Sequence, residues 1–155
     1  MAEPAIRAAT VEDADTLAAV YRTAYRENRR LGFPAKAESA TAETVTGWIR
    51  EHHVLVATVD GEVVGGVRLS ATDPDRVKLS RLAVHEDRKG EGIGSALVDA
   101  AEAWVRETGR ETVWLTTPDE HPFLPEFYRS RGYEKTGDYP LEYRDYDEIR
   151  MEKPV

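Results

Sequence analysis

The sequence predicts an α/β (α+β) domain, and three observations carry that expectation. Segments with apolar residues at helical spacing alternate with short β-branched runs along the 155 residues. An Asp60-Gly61 pair stands between two valine-rich runs, the strongest short-range signal of a hairpin. Near the middle, an apolar run, three glycines at alternate positions and an amphipathic pattern spell strand, tight turn and helix. This length allows a sizeable core and no linker divides it, so one domain over 1–155 is expected.

The elements follow in order. Ile6 to Ala8 reads as a short first strand. Thr10 and Asp13 have the spacing of a capping box, with an acid where Glu or Gln is commoner. Leu17, Ala18, Tyr21, Ala24 and Tyr25 then repeat at helical spacing, and Asn28 to Glu38, with Gly32 and Pro34, reads as a loop. Thr41 opens a second helix that carries Val45, Trp48 and Ile49 and ends near His52. Val54–Val59 and Val63–Leu69 form the hairpin, and Asp73-Pro74-Asp75 turns the chain into a strand over Val77–Val84.

After the glycines, Ile93, Leu97, Ala101, Trp104 and Val105 share one helix face that stops before Gly109. Thr112–Thr116 is a buried strand, so strand, helix and strand form a right-handed parallel crossover. Pro122–Arg131 is the last helix, capped by Gly132, and Tyr133–Gly137 and Asp147–Glu152 close the sheet.

Composition excludes several functions. Without cysteine there is no disulfide, no thiolate metal site and no cysteine nucleophile. No metal site is expected, because His52, His53 and His85 read as surface residues without ligand spacing. The net charge of −8 argues against nucleic-acid binding, which depends on neutralising phosphates, and suits a cationic amine. No 18-residue apolar span appears and Met1–Thr10 has no apolar signal core, so no membrane association and a cytoplasmic location are expected.

The glycine turn asks for a phosphate. Glycine admits positive φ and lets a ligand approach the backbone. The first N–H groups of the following helix lack internal partners, and its dipole adds positive charge there. Arg81, Arg88 and Lys89 cluster around the turn in sequence and supply cations. A P-loop needs a lysine after its glycines and none follows. A dinucleotide fingerprint needs a third glycine where Ser95 or Leu97 stands. A third pattern is Arg or Gln, two residues, Gly, one residue, then Gly or Ala; Lys89, Gly92 and Gly94 match it with lysine first.

That third pattern resembles the pyrophosphate loop of the GNAT superfamily of N-acetyltransferases. Leu79–His85 resembles the family's fourth strand, and Glu126–Tyr133 its later helix with a tyrosine and a glycine-aromatic exit. The resemblance implies a mixed, mostly antiparallel sheet of about seven strands flanked by about four helices. Its central parallel pair, strands four and five, would splay apart and admit acetyl-coenzyme A as co-substrate. The backbone of Leu82, Ala83 and Val84 would pair with the pantetheine. The loop at Gly90, Gly92, Ile93, Gly94 and Ser95 would hold the pyrophosphate, with Lys89 assisting.

By the same resemblance Tyr128 is the general acid toward the coenzyme A sulfur. A backbone N–H of the fourth strand would steady the carbonyl oxygen. No carboxylate lies between Val77 and Val84, where some members carry their base, so His121 and Glu120 stand as base candidates, with water as the alternative. The implied reaction is direct transfer to a primary amine of a small molecule or peptide. A non-catalytic acyl-coenzyme A-binding sensor is the alternative, and homodimers are a tendency of the family. Tyr25–Thr41 and Thr117–Leu124 would wall the acceptor site, with Arg29, Arg30 and Phe33 as recognition residues.

Overall fold

In the computed structural model the described residues are 3–141 and 146–155. Their strands are β1 (Ala5–Ala8), β2 (His53–Val59), β3 (Glu62–Asp73), β4 (Arg76–Val84), β5 (Thr112–Pro118), β6 (Glu134–Asp138) and β7 (Glu148–Pro154). The helices are α1 (Ala14–Arg30), α2 (Ala42–Glu51), α3 (Ile93–Glu107) and α4 (Leu124–Ser130). The sheet runs β1-β2-β3-β4-β5-β7-β6. Only β4 and β5 pair in parallel, because only they are joined by a crossover helix, α3.

Local chemistry sets the corners. Asp60 and Gly61 both take left-handed φ, 53° and 81°, which matches the hairpin turn to the twist of β2 and β3. The Thr10 N–H donates to Asp13 Oδ2 at 2.8 Å, and Arg7 grips the same carboxylate at 2.8 and 2.9 Å. This ties β1 to the start of α1. The Thr41 hydroxyl accepts the Thr44 N–H and starts α2.

The sheet is covered on both faces, so its central strands alternate between two cores. Val54 and Val56 pack with Leu17, Tyr21 and Val45 under α1 and α2. Leu55, Ala57 and Val59 point the other way, toward Ile93, Leu97 and Val105 of α3. Gly65 and Gly66 let the layers close on β3. A Cβ on Gly65 would lie 2.9 Å from the Ala83 oxygen, and one on Gly66 2.7 Å from Leu17 Cδ1.

Two expected boundaries shift. α1 continues to Arg30, because Gly32, at φ 97°, is the first residue to leave the helical region. The last helix begins at Leu124 rather than Pro122, with Pro125 in its first turn, where a missing N–H does no harm. Tyr133 precedes β6 and is buried in the core. His53 is not simply a surface residue, since its ring stacks on Trp104 at 4.3 Å.

β4 and β5 stay in register only at Arg76–Thr112, Val77–Val113 and Lys78–Trp114. Beyond that the strands part. On its other side β4 pairs Ser80 with Arg68 and Ala83 with Gly66, so Arg81 and Leu82 together face Val67. That is a β-bulge, and Arg81 sits in it at φ 53°, a sparsely populated conformation for arginine. The bulge bends β4 where it leaves β5.

Candidate active site

A cavity of about 620 Å³ fills the gap between the parting strands. Leu82, Ala83 and Val84 form one wall, and Tyr128 of α4 and Thr116–Pro118 of β5 the other. Every loop residue expected to hold the pyrophosphate lines one end: Lys89, Gly90, Gly92, Ile93, Gly94 and Ser95.

The loop geometry suits a phosphate. Gly92, at φ 79°, caps α3 in the left-handed region, and Gly90 has φ 80°. Space is open where a Cβ would stand at either residue. The Ala96 N–H bonds the Gly92 oxygen at 3.0 Å. The Ile93, Gly94 and Ser95 N–H groups precede that bond and have no carbonyl within their own helix. Together with the helix dipole they make an anion seat. Lys89 Nζ lies 3.3 Å from Glu27 Oε2 on α1 and Arg88 3.6 Å from Glu91, so both cations start in exposed pairs that an incoming phosphate can share. Arg81 does not join them: its guanidinium lies 5.6 Å from the Trp48 ring of α2.

Tyr128 is 5% exposed and packs edge-on against Phe127 and Tyr133. Burial pushes its phenol above the ordinary value, and nearby Tyr25 adds to the shift. Tyr25 in turn donates its hydroxyl to the Leu82 oxygen at 3.1 Å, fixing the carbonyl of the bulge's second residue.

The two base candidates are placed differently. Glu120 is exposed and outside the cavity lining. His121 is buried, and both its ring nitrogens are engaged. Nδ1 accepts the Phe123 and Leu124 N–H groups at 3.3 and 3.2 Å, and Nε2 faces Asn28 Oδ1 at 3.3 Å. Those bonds select the neutral ring with its proton on Nε2. Burial lowers its pKa; Glu27 opposes that and Lys89 adds to it. In this arrangement the ring has no free lone pair and holds the start of α4 against α1.

Glu148 went unread in the sequence. It opens β7 opposite Pro118, is 5% exposed and lines the cavity. Alternation within β7 was the available signal, and it becomes legible only once the β5–β7 register is known. Around it that end of the cavity is aromatic: Phe33 meets Tyr146 edge-on at 5.1 Å, and Phe33 also packs against His121. Arg29, expected as a recognition residue, pairs with Glu38 at 2.6 Å and Arg30 is exposed; neither lines the cavity.

Residues 17–133 match the Acetyltransferase (GNAT) family. The chain is 31% identical over 151 residues to S-(2-succino)cysteine N-acetyltransferase of Bacillus subtilis, covering 90% of this chain and 89% of that one. It is 29% identical to S-alkylcysteine N-acetyltransferase of the same organism, over 86% and 80% of the two chains. The fold superposes on PaiA N-acetyltransferase from Thermoplasma acidophilum, solved with coenzyme A, with a TM-score of 0.82, 21% identity and 99% of each chain covered.

Proposed function

The chain belongs to the Acetyltransferase (GNAT) family and is an acetyl-coenzyme A-dependent N-acetyltransferase, and we propose that it acetylates the primary amine of a small molecule or peptide by direct transfer. Residues 1–155 act as one catalytic unit. The observation that carries this reading is the gap between β4 and β5, with an anion seat at one end and a buried tyrosine and carboxylate in its walls.

In this reading the Gly90–Ser95 loop and Lys89 hold the pyrophosphate, and the backbone of Leu82, Ala83 and Val84 aligns the pantetheine. The neutral amine attacks the thioester carbonyl carbon, an N–C bond forms and the C–S bond breaks. The amine's proton passes to Glu148, directly or through water, since Glu148 shares the cavity whereas Glu120 does not and the His121 nitrogens are engaged.

Tyr128 faces the leaving sulfur. A thiol has a pKa near ~8.5 and an ordinary phenol ~10, and burial raises Tyr128 further. The phenol therefore keeps its proton and donates a hydrogen bond to the developing thiolate, an electrostatic contribution, while sulfur collects its proton from solvent.

The names of the two Bacillus subtilis relatives make S-substituted cysteines the first amines to try. No helix among the described residues is long and apolar enough to cross a membrane.

Calorimetric titration with acetyl-coenzyme A, beside a folded Gly92→Glu variant, tests the reading. Saturable binding lost in the variant, followed by amine-dependent thiol release in the wild type, is the expected result. No binding to the wild-type protein overturns it.

A further inference from the structure

Arg68 and Arg81 sit together on the α1/α2 side of the cavity without an acid. Both are half-buried and both line the cavity. Their guanidinium carbons lie 5.1 and 5.6 Å from the centroid of the Trp48 ring. Arg68 Nε donates to the Ser80 hydroxyl at 3.2 Å, while Arg81 Nε is buried with no hydrogen-bond partner. Among the described residues no carboxylate pairs with either arginine. That is unexpected in a chain with 29 acidic and 21 basic residues, where carboxylates outnumber cations.

Two like charges held close in a half-dry site repel each other, and the Trp48 face offsets only part of that. The Arg68 pKa is lowered by burial first and by Arg81 second, in line with this. The Tyr21 hydroxyl is also buried without a partner, and both arginines act on it electrostatically. Such a cluster lacks one thing, an anion. The cofactor's pyrophosphate does not fill the role, because its seat at the start of α3 has Arg88 and Lys89. Planar forked donors suit a carboxylate.

We propose that Arg68 and Arg81 recognise a carboxylate on the acceptor, so that the substrate is a carboxylate-bearing amine such as an amino acid or its acidic conjugate. The inference rests on the acetyltransferase reading of the cavity and adds the residues that select an acceptor by its carboxylate. Arg81 would present its guanidinium from the bulge and Arg68 from β3, where it pairs with Ser80; the bulge brings Arg81 to the same side as Arg68.

The test compares S-methylcysteine with its carboxamide, acceptors of nearly the same shape; the amide has the less basic amine, so a preference for the acid cannot come from amine protonation. Thiol release is followed in the wild type, Arg68→Gln, Arg68→Lys and Arg81→Asn. Asparagine is chosen because it tolerates positive φ better than other uncharged residues, so the bulge survives. The wild type should favour the acid by about tenfold or more in kcat/KM. Arg68→Gln and Arg81→Asn should raise its KM about 10- to 100-fold and leave the amide within about threefold, with Arg68→Lys intermediate. Acetyl-coenzyme A affinity, measured by calorimetry, should stay within about twofold, because the arginines lie apart from the phosphate seat.

Equal use of acid and amide by the wild type overturns the proposal. So does an equal loss of both acceptors in the variants, which would mark the arginines as packing around Trp48. A protein that binds acetyl-coenzyme A yet turns over no carboxylate-bearing amine overturns it too. Absent acetyl-coenzyme A binding is a different failure, that of the acetyltransferase reading itself.

Discussion

Lys78 and Trp114 are the last register pair of the parallel β4–β5 ladder, and the Lys78 ammonium lies 5.0 Å from the centroid of the Trp114 ring. One residue further the strands no longer pair. Trp114 is clamped besides by its Nε1–H to the Thr72 hydroxyl at 3.0 Å and by Arg150 over its ring. The closed end of the gap is thus firmly held.

In the proposed mechanism Tyr128→Phe removes the hydrogen bond to the leaving sulfur and little volume. Turnover should fall by about 10²–10³, with acetyl-coenzyme A affinity kept. Steady-state kinetics beside calorimetry reads both. Because burial raises the phenol's pKa, wild-type turnover should show no alkaline limb from Tyr128 below about pH 10. A limb near pH 9 that vanishes in the variant would contradict this role.

The adjacent glycines of β3 should respond unequally. An alanine Cβ at Gly65 meets the Ala83 carbonyl oxygen at 2.9 Å and side chains of α3 at 3.1 and 3.2 Å, and backbone cannot step aside. At Gly66 the near atom is the end of Leu17, at 2.7 Å, which can rotate. Gly65→Ala should destabilise by about 2–3 kcal/mol and Gly66→Ala by about 1 kcal/mol, read from urea midpoints. Gly65→Ala should also weaken cofactor binding, since it pushes on β4 beside the gap.

Glu102 of α3 is 3% exposed and holds the Tyr133 hydroxyl at 3.0 Å and Lys153 Nζ at 2.8 Å. Lys153→Met leaves the buried carboxylate with only the Tyr133 hydroxyl and the more distant Arg106, 3.7 Å away, and with the lysine side chain a quarter exposed a loss of about 1–2 kcal/mol is expected. Adding Glu102→Gln should recover part of that loss in a double-mutant cycle. Strict additivity would argue against coupling.

The Arg7 hydrogen bonds hold the Asp13 carboxyl down at about 2, against the opposing effect of its burial and with help from the Thr10 N–H. A depressed acid stabilises the fold above its unfolded value, near ~3.9, and that contribution drains away as pH falls through the folded value. Thermal unfolding midpoints should fall more steeply from pH 4 to about 2 in the wild type than in Asp13→Asn, which should be the less stable of the two at pH 7.

Much of this was legible in the sequence because the informative signals are local. Asp60-Gly61 fixes its turn by residue type alone, and Gly90, Gly92 and Gly94 announce the anion seat within five residues. The unread parts are long-range. Nothing in Arg81 says it will take φ 53°, since that conformation follows from two residues of β4 facing one of β3. Glu148 enters the cavity through the β5–β7 register, and Arg81 comes to the side of Arg68 through the β4 bulge. His121 read as a base candidate because its partners, Asn28 and two N–H groups at the start of α4, are joined to it only in three dimensions.

The left-handed residue in β4 also bears on how such an enzyme would change its diet. Arg81 shapes the slot through its backbone and meets the acceptor through its side chain, so a replacement there disturbs two inheritances at once. Arg68 stands in a plain strand on the neighbouring β3 and carries no such double burden. A lineage or a directed-evolution library adapting to a new amine should therefore diversify at position 68 early, and leave position 81 to the few residues at ease with positive φ.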